Sequence, residues 1–203
     1  MYSAPGGQLD VDVERLANNL GDLPEPFASP VLVVVSGLPG TGKSHFSVKL
    51  AERLEFKVLE SDVLRKILFP SPVYSAEEST YLFRAIHILI ERLLNKGISV
   101  ILDATNLSES NREYLYNIAE QCNSRLVLVE VKAPPELVYN RLERRHSGFG
   151  KEEGNKSDAD WTIYQRMAST ADKIHRHHYS VDTSQDTSPA IDKIVREIKR
   201  TSR

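Results

Sequence analysis

A run of five apolar residues, Val31-Leu-Val-Val-Val35, leads through Ser36 into Gly37-Leu-Pro-Gly-Thr-Gly-Lys-Ser44. No other stretch of the 203-residue chain narrows its fold so far. A continuous apolar run suits a strand covered on both faces of a parallel sheet. The segment after it fits G-x-x-x-x-G-K-[ST] in full, the pattern of a loop whose backbone N–H groups wrap a phosphate chain. Glycine permits that close approach of backbone to anion. The loop opens a helix, predicted from about Gly42 to Leu54, whose positive dipole end favours the same anion. Lys43 supplies a point charge to the β- and γ-phosphates, and Ser44 a hydroxyl for Mg²⁺, a hard ion that prefers oxygen. Gly37, Leu38, Pro39, Gly40, Thr41, Gly42, Lys43 and Ser44 are therefore the expected nucleotide cradle, and ATP with Mg²⁺ the expected cofactors.

Beyond the loop, apolar periodicity alternates between strand and helix. Strands are predicted at Lys57 to Glu60, Ser99 to Asp103, Arg125 to Val131 and Tyr179 to Asp182. Helices are predicted at Ala76 to Lys96, Ser108 to Gln121, Pro134 to about Arg145, and Pro189 to Arg200. Gly97 stands where a helix C-cap wants it. Ser157 reads as the start of a further helix, with Asp160 at its capping-box position. This alternation argues for an α/β three-layer sandwich, helices on both sides of a parallel sheet. Residues 8 to 20 place Leu9, Val13, Leu16 and Leu20 at helical spacing, and a Pro-rich stretch from Pro24 to Pro30 follows. Residues 1–30 are thus expected as an accessory helix and linker, and 31–203 as one domain with a lid at about 141–160.

In an open parallel sheet the carboxyl ends of the strands line the ligand crevice. Asp62, just past the second strand, is placed there to take a proton from an attacking hydroxyl. Arg65, three residues on, would lie beside it on a helix and grip the acceptor. Asp103 ends the third strand as a carboxylate for Mg²⁺, and Thr105 and Asn106 add polar groups at the rim. Arg112, on the next helix, is a weaker candidate to face the substrate. Arg141, Arg144 and Arg145 fall on one helix, Arg141 and Arg145 on one face, ahead of the polar segment from His146 to Lys156. Arginines there suit a lid that meets the γ-phosphate as the site closes.

The succession G-x-P-G-T-G-K-S, S-D-x-x-R, I-L-D-A-T-N, R-L-E-R-R and S-D-A-D-W, over about residues 31 to 185, resembles the P-loop kinases grouped around polynucleotide 5′-hydroxyl kinase and zeta toxin. The resemblance implies a five-stranded sheet of the nucleoside-monophosphate-kinase type, in the order 2-3-1-4-5. It makes Asp62 the general base, Arg65 the acceptor-binding arginine, Lys43 and Ser44 the γ-phosphate and Mg²⁺ residues, and Arg141 or Arg145 the lid arginine. The acceptor is left open among a small molecule, a sugar nucleotide and a nucleic-acid 5′-hydroxyl. The rival reading is a nucleotide-binding regulatory module that hydrolyses ATP without an acceptor.

Other signals are weaker. The net charge of −2 does not suggest a dedicated nucleic-acid binder. Asn155-Lys-Ser-Asp158 spells a guanine-reading motif without the buried strand that should precede it. His175-Arg-His-His-Tyr179 reads as a polar helix end and Cys122 as a structural thiol. Trp161 and Tyr164 read as packing residues. The start of the chain lacks the pattern of a signal peptide and no apolar run spans a membrane, so a cytoplasmic protein is expected.

Overall fold

A computed structural model describes residues 6–146 and 159–201. Its elements run α1 (Gly6–Asn18), β1 (Val31–Ser36), α2 (Lys43–Leu54), β2 (Lys57–Glu60), α3 (Ser61–Leu68), α4 (Ala76–Asn95), β3 (Val100–Asp103), α5 (Glu109–Gln121), β4 (Arg125–Lys132), α6 (Pro135–His146), α7 (Trp161–Thr170), β5 (Tyr179–Asp182) and α8 (Ser188–Thr201). The strands form one parallel sheet in the order β2-β3-β1-β4-β5. The order and the layers are those expected.

The apolar run of β1 is buried at every position because it is the central strand. Its alternate side chains feed two cores. Leu32 and Val34 face a core built with α1, α3, α4 and α5, while Val31, Val33 and Val35 face one built with α2 and α8. The first residue of β1 is pinned where Val31 N–H donates to the buried Ser99 hydroxyl at 3.0 Å. Register then fixes the other end. Val35 lies opposite Asp103, and Asp103 opposite Glu60, so the three strands finish together.

Two turns return the chain sharply to the sheet. After α4, Gly97 takes φ 78°, and the N–H groups of Gly97 and Ile98 reach the carbonyls of Leu94 and Leu93. After α5, Asn123 does the same at φ 48°, Asn being the side chain that best tolerates that region.

Two local expectations are corrected. Asp160 is the N-cap of α7 itself, its carboxylate accepting from Ile163 N–H at 2.8 Å, so it is not a box residue one turn in. The segment 175–178 is not a helix end, because α7 stops at Thr170 and an irregular strap leads to β5. Asp62 lies in the first turn of α3, whose N-cap is Glu60. The middle of the predicted lid, with Asn155 to Asp158, falls outside the described residues. Among the described residues no helix is long and apolar enough to cross a membrane.

The accessory helix α1 is packed against α3 and α4, with Val13 and Leu16 fully buried. Arg92 of α4 reaches Asp10 and Glu14, and the Tyr81 hydroxyl donates to Asp12 at 2.6 Å. These surface pairs add little, so the buried side chains carry the attachment. Leu16→Ala is expected to cost about 2–5 kcal/mol of stability in denaturant unfolding. A loss under about 1 kcal/mol would show α1 to be a dispensable appendage.

Candidate active site

The phosphate loop is closed by its neighbours. A Cβ on Gly37 would come within 2.3 Å of the Val131 carbonyl oxygen, so β4 leaves room for glycine alone. Gly40, at φ 78°, is also crowded: a Cβ there would come within 2.8 Å of Val138 and 3.2 Å of Leu142, both of α6. Within the loop, the Leu38 carbonyl accepts from the Thr41 hydroxyl at 2.8 Å and from the Lys43 ammonium at 3.0 Å. Helix α2 starts behind Gly42, which has no side chain with which to cap it. Its first N–H groups are thus offered to an anion.

Four charged side chains converge over this loop. Lys43 is pulled below its ordinary pKa by burial, against the attraction of Asp103 and Asp62, while the Arg145 guanidinium pushes the same way as burial. Asp103 is raised by burial, partly offset by Lys43 and by a hydrogen bond with Ser44. Asp62 is raised by burial, partly offset by Lys43, and raised again by Asp103. Arg145 is lowered by burial and by Arg141, with Asp62 opposing. Register explains the meeting: Asp103 is the last residue of β3, and Asp62 sits two residues past its partner Glu60. The Ser44 hydroxyl beside the Asp103 carboxylate is a pair of hard oxygen donors, the set that suits Mg²⁺.

The remaining candidates are placed differently. Arg65 is buried and forms an ion pair with Glu78, with a further hydrogen bond to the Ser79 hydroxyl at 3.2 Å. Its guanidinium also lies under the Tyr74 ring, 4.8 Å from the centroid. Glu78 in turn accepts from Val73 N–H at 2.8 Å. The arginine expected to reach for an acceptor is therefore turned onto α4 here. Thr105 contributes its carbonyl, which accepts from Gly37 N–H and from the Ser36 hydroxyl, both at 3.0 Å. Asn106 is buried at φ 46°, and its side-chain amide donates to the Val35 carbonyl at 3.0 Å. Both stitch the end of β3 to the entry of the loop. Arg112 is 1% exposed and bonds to main-chain carbonyls, so it faces the protein interior and not a substrate.

Arg141 was expected beside the nucleotide, and its guanidinium donates to the Gly40 carbonyl at 3.3 Å. It also donates to Thr183, to the hydroxyl at 2.9 Å and the carbonyl at 3.1 Å. Thr183 is a residue that the motifs missed. Its hydroxyl donates to the Thr41 carbonyl at 2.6 Å, joining the loop after β5 to the phosphate loop. It stands just past a strand's carboxyl end, so the crevice rule that picked out Asp62 and Asp103 applies to it equally. Arg144, also on α6, is exposed.

Helices α6 and α7 rest on the loop through a small apolar cluster of Val138, Leu142 and Tyr164, with Leu38 and Trp161 against it. Trp161 stacks on Tyr164 at 4.6 Å, as expected of packing residues, and meets Tyr139 edge-on at 5.3 Å.

Comparison with known proteins gives the family of the chain. The family model described as an AAA domain matches residues 32–181. An L-seryl-tRNA(Sec) kinase of Methanococcus maripaludis is 32% identical over 120 residues, 56% of this chain and 46% of its own. The chain thus spans about half the length of that relative. A probable adenylyl-sulfate kinase of Pyrococcus abyssi is 29% identical over 57% of this chain and 65% of its own. Among solved structures, Chaetomium thermophilum Kti12 in complex with ADP-AlF3 superposes with a TM-score of 0.67 at 19% identity, over 85% of this chain and 99% of that one. The shared sheet order, the complete phosphate loop and the extent of the family match together place the chain in this AAA-domain family, among the small P-loop kinases.

Proposed function

We propose that the protein is an ATP-dependent kinase that transfers the γ-phosphate to a hydroxyl of an acceptor, with Asp62 as general base. The observation that carries the reading is the register that ends β1, β2 and β3 together, setting Asp103 and the start of the Asp62 helix beside the complete phosphate loop. Residues 37–44 would hold the phosphates, with Lys43 on the outer ones, and Arg141 with Thr183 would close the nucleotide's side of the loop. Ser44 and Asp103 would hold Mg²⁺, which when bound neutralises phosphate charge. Asp62 accepts the proton as the acceptor oxygen bonds to the γ-phosphorus and the bond to the bridging oxygen breaks. Its raised pKa brings it nearer the operating range of a base. Arg145 stands opposite, where cationic charge stabilises the transferring group. Thr105 and Asn106 hold the loop entry and do not contact the acceptor, and Arg65 reaches the acceptor end only after release from Glu78.

The acceptors named for the relatives, a seryl-tRNA and adenylyl sulfate, differ greatly in size. The acceptor is therefore sought with labelled ATP against 5′-hydroxyl oligonucleotides, nucleosides, amino sugars and sugar nucleotides. One observation favours the alternative, an ATP-hydrolysing regulatory module: the ion pair that occupies Arg65. Such a module would release ADP at the same rate with and without any acceptor.

Lys43→Ala is expected to abolish both Mg·ATP uptake in calorimetry and every transfer found; retained uptake would dismiss the cradle. Asp62→Asn is expected to lower transfer by roughly 10²–10⁴-fold while Mg·ATP still binds. The same change should raise the thermal midpoint of the nucleotide-free protein at pH 7. The sign follows from the raised pKa: the folded state favours protonated Asp62, so its contribution is full at low pH and lost as pH rises through the folded value. Asparagine removes that penalty. A lowered midpoint together with undiminished transfer would refute the assignment of Asp62.

A further inference from the structure

The strap between α7 and β5 is exposed at residues 171–173, yet it is tied firmly to the loop after β3. Asp172 N–H donates to the Leu107 carbonyl, and the Asp172 carboxylate accepts from Glu109 N–H, both at 2.9 Å. Between strap and loop lies the guanidinium of Arg112. It donates to the carbonyls of Asp172 at 3.0 Å and Lys173 at 2.9 Å on one side, and to the carbonyl of Asn106 at 2.6 Å on the other. Its Nε is taken by Glu109 at 2.7 Å.

For stability alone a buried ion of this kind has no advantage over a packed apolar side chain. What it offers is direction: a planar fork can hold three carbonyls in fixed positions, which an ammonium cannot. The carbonyl it holds most closely belongs to Asn106, the residue at φ 46° that turns the chain after β3. That carbonyl also accepts from the Ser36 hydroxyl at 2.9 Å, and Ser36 shares the Thr105 carbonyl with Gly37 N–H. The hydrogen bonds thus run unbroken from the strap, through Arg112 and the turn, to the first glycine of the phosphate loop.

We propose that Arg112 is a positioning residue of the phosphate site: anchored on Asp172 and Lys173, it holds the Asn106 turn against the end of β1 and so fixes the entry of the loop. The proposal rests on the reading of residues 37–44 as that site. Amide hydrogen exchange followed by NMR tests it without nucleotide, and calorimetry with Mg·ATP tests it with nucleotide. In Arg112→Lys and in Ser36→Ala, Gly37 N–H is expected to exchange about tenfold faster and Mg·ATP to bind about tenfold more weakly, a loss of one hydrogen bond. Exchange at β4 and β5 should stay as in the unaltered protein. Arg112 acts on the loop through the Asn106 turn, which meets the end of β1 at the Ser36 hydroxyl and at the Val35 carbonyl, so Asp172→Ala, which loosens the strap that anchors Arg112, gives the deciding readout if Arg112→Lys does not fold. Gly37 exchange within twofold of the unaltered protein, or an equal rise at every strand, overturns the proposal. Should the unaltered protein fail to take up Mg·ATP, the phosphate-site reading falls, and the Gly37 exchange still judges the Arg112 linkage.

Discussion

The site depends on a set of charges withdrawn from water together. An ammonium buried alone beneath a phosphate loop would lose its proton, and a carboxylate buried alone would gain one. Lys43 moves down and is held back by both carboxylates, and Asp62 and Asp103 move up and are each held back by Lys43, while Asp103 pushes Asp62 further up. The balance exists because three strands end in register and because the loop cannot drift from β4, whose Val131 carbonyl fills the space a side chain at Gly37 would need. An arriving polyphosphate enters this field as a further anion facing Lys43, Arg145 and the uncapped start of α2. On the proposed reading the fold itself therefore orients these cations toward an anion.

Much of the architecture was legible because it is written in local patterns. The β1 run could only be a central strand, and its junction with a complete phosphate-loop motif fixed the helix after it. Strand–helix alternation then left few topologies. Asp62 and Asp103 were legible by one rule, that ligands gather at the carboxyl ends of parallel strands. Thr183 obeys the same rule but belongs to no motif, since its contribution is a hydroxyl and a carbonyl placed by the fold.

Arginines were the least legible residues. Arg65, Arg112, Arg141 and Arg145 look alike in sequence, and their spacing says only which helix face they share. Which one meets a ligand depends on partners distant along the chain: Glu78 for Arg65, the 171–173 strap for Arg112, Thr183 for Arg141. A guanidinium surrounded by carbonyls becomes part of the frame, whereas one left facing a carboxylate across a cleft can exchange that partner for phosphate. The capping of α7 was misread for a related reason. Several residues of the 157–160 stretch can cap a helix, and only the course of the chain selects Asp160.

Leu38 has a double membership. It supplies the carbonyl that gathers Thr41 and Lys43, and its side chain lies in the apolar cluster of α6 and α7. The phosphate loop and those two helices therefore share one apolar contact, and the chain's single tryptophan is stacked at its edge, so on the proposed reading its emission would report on the loop.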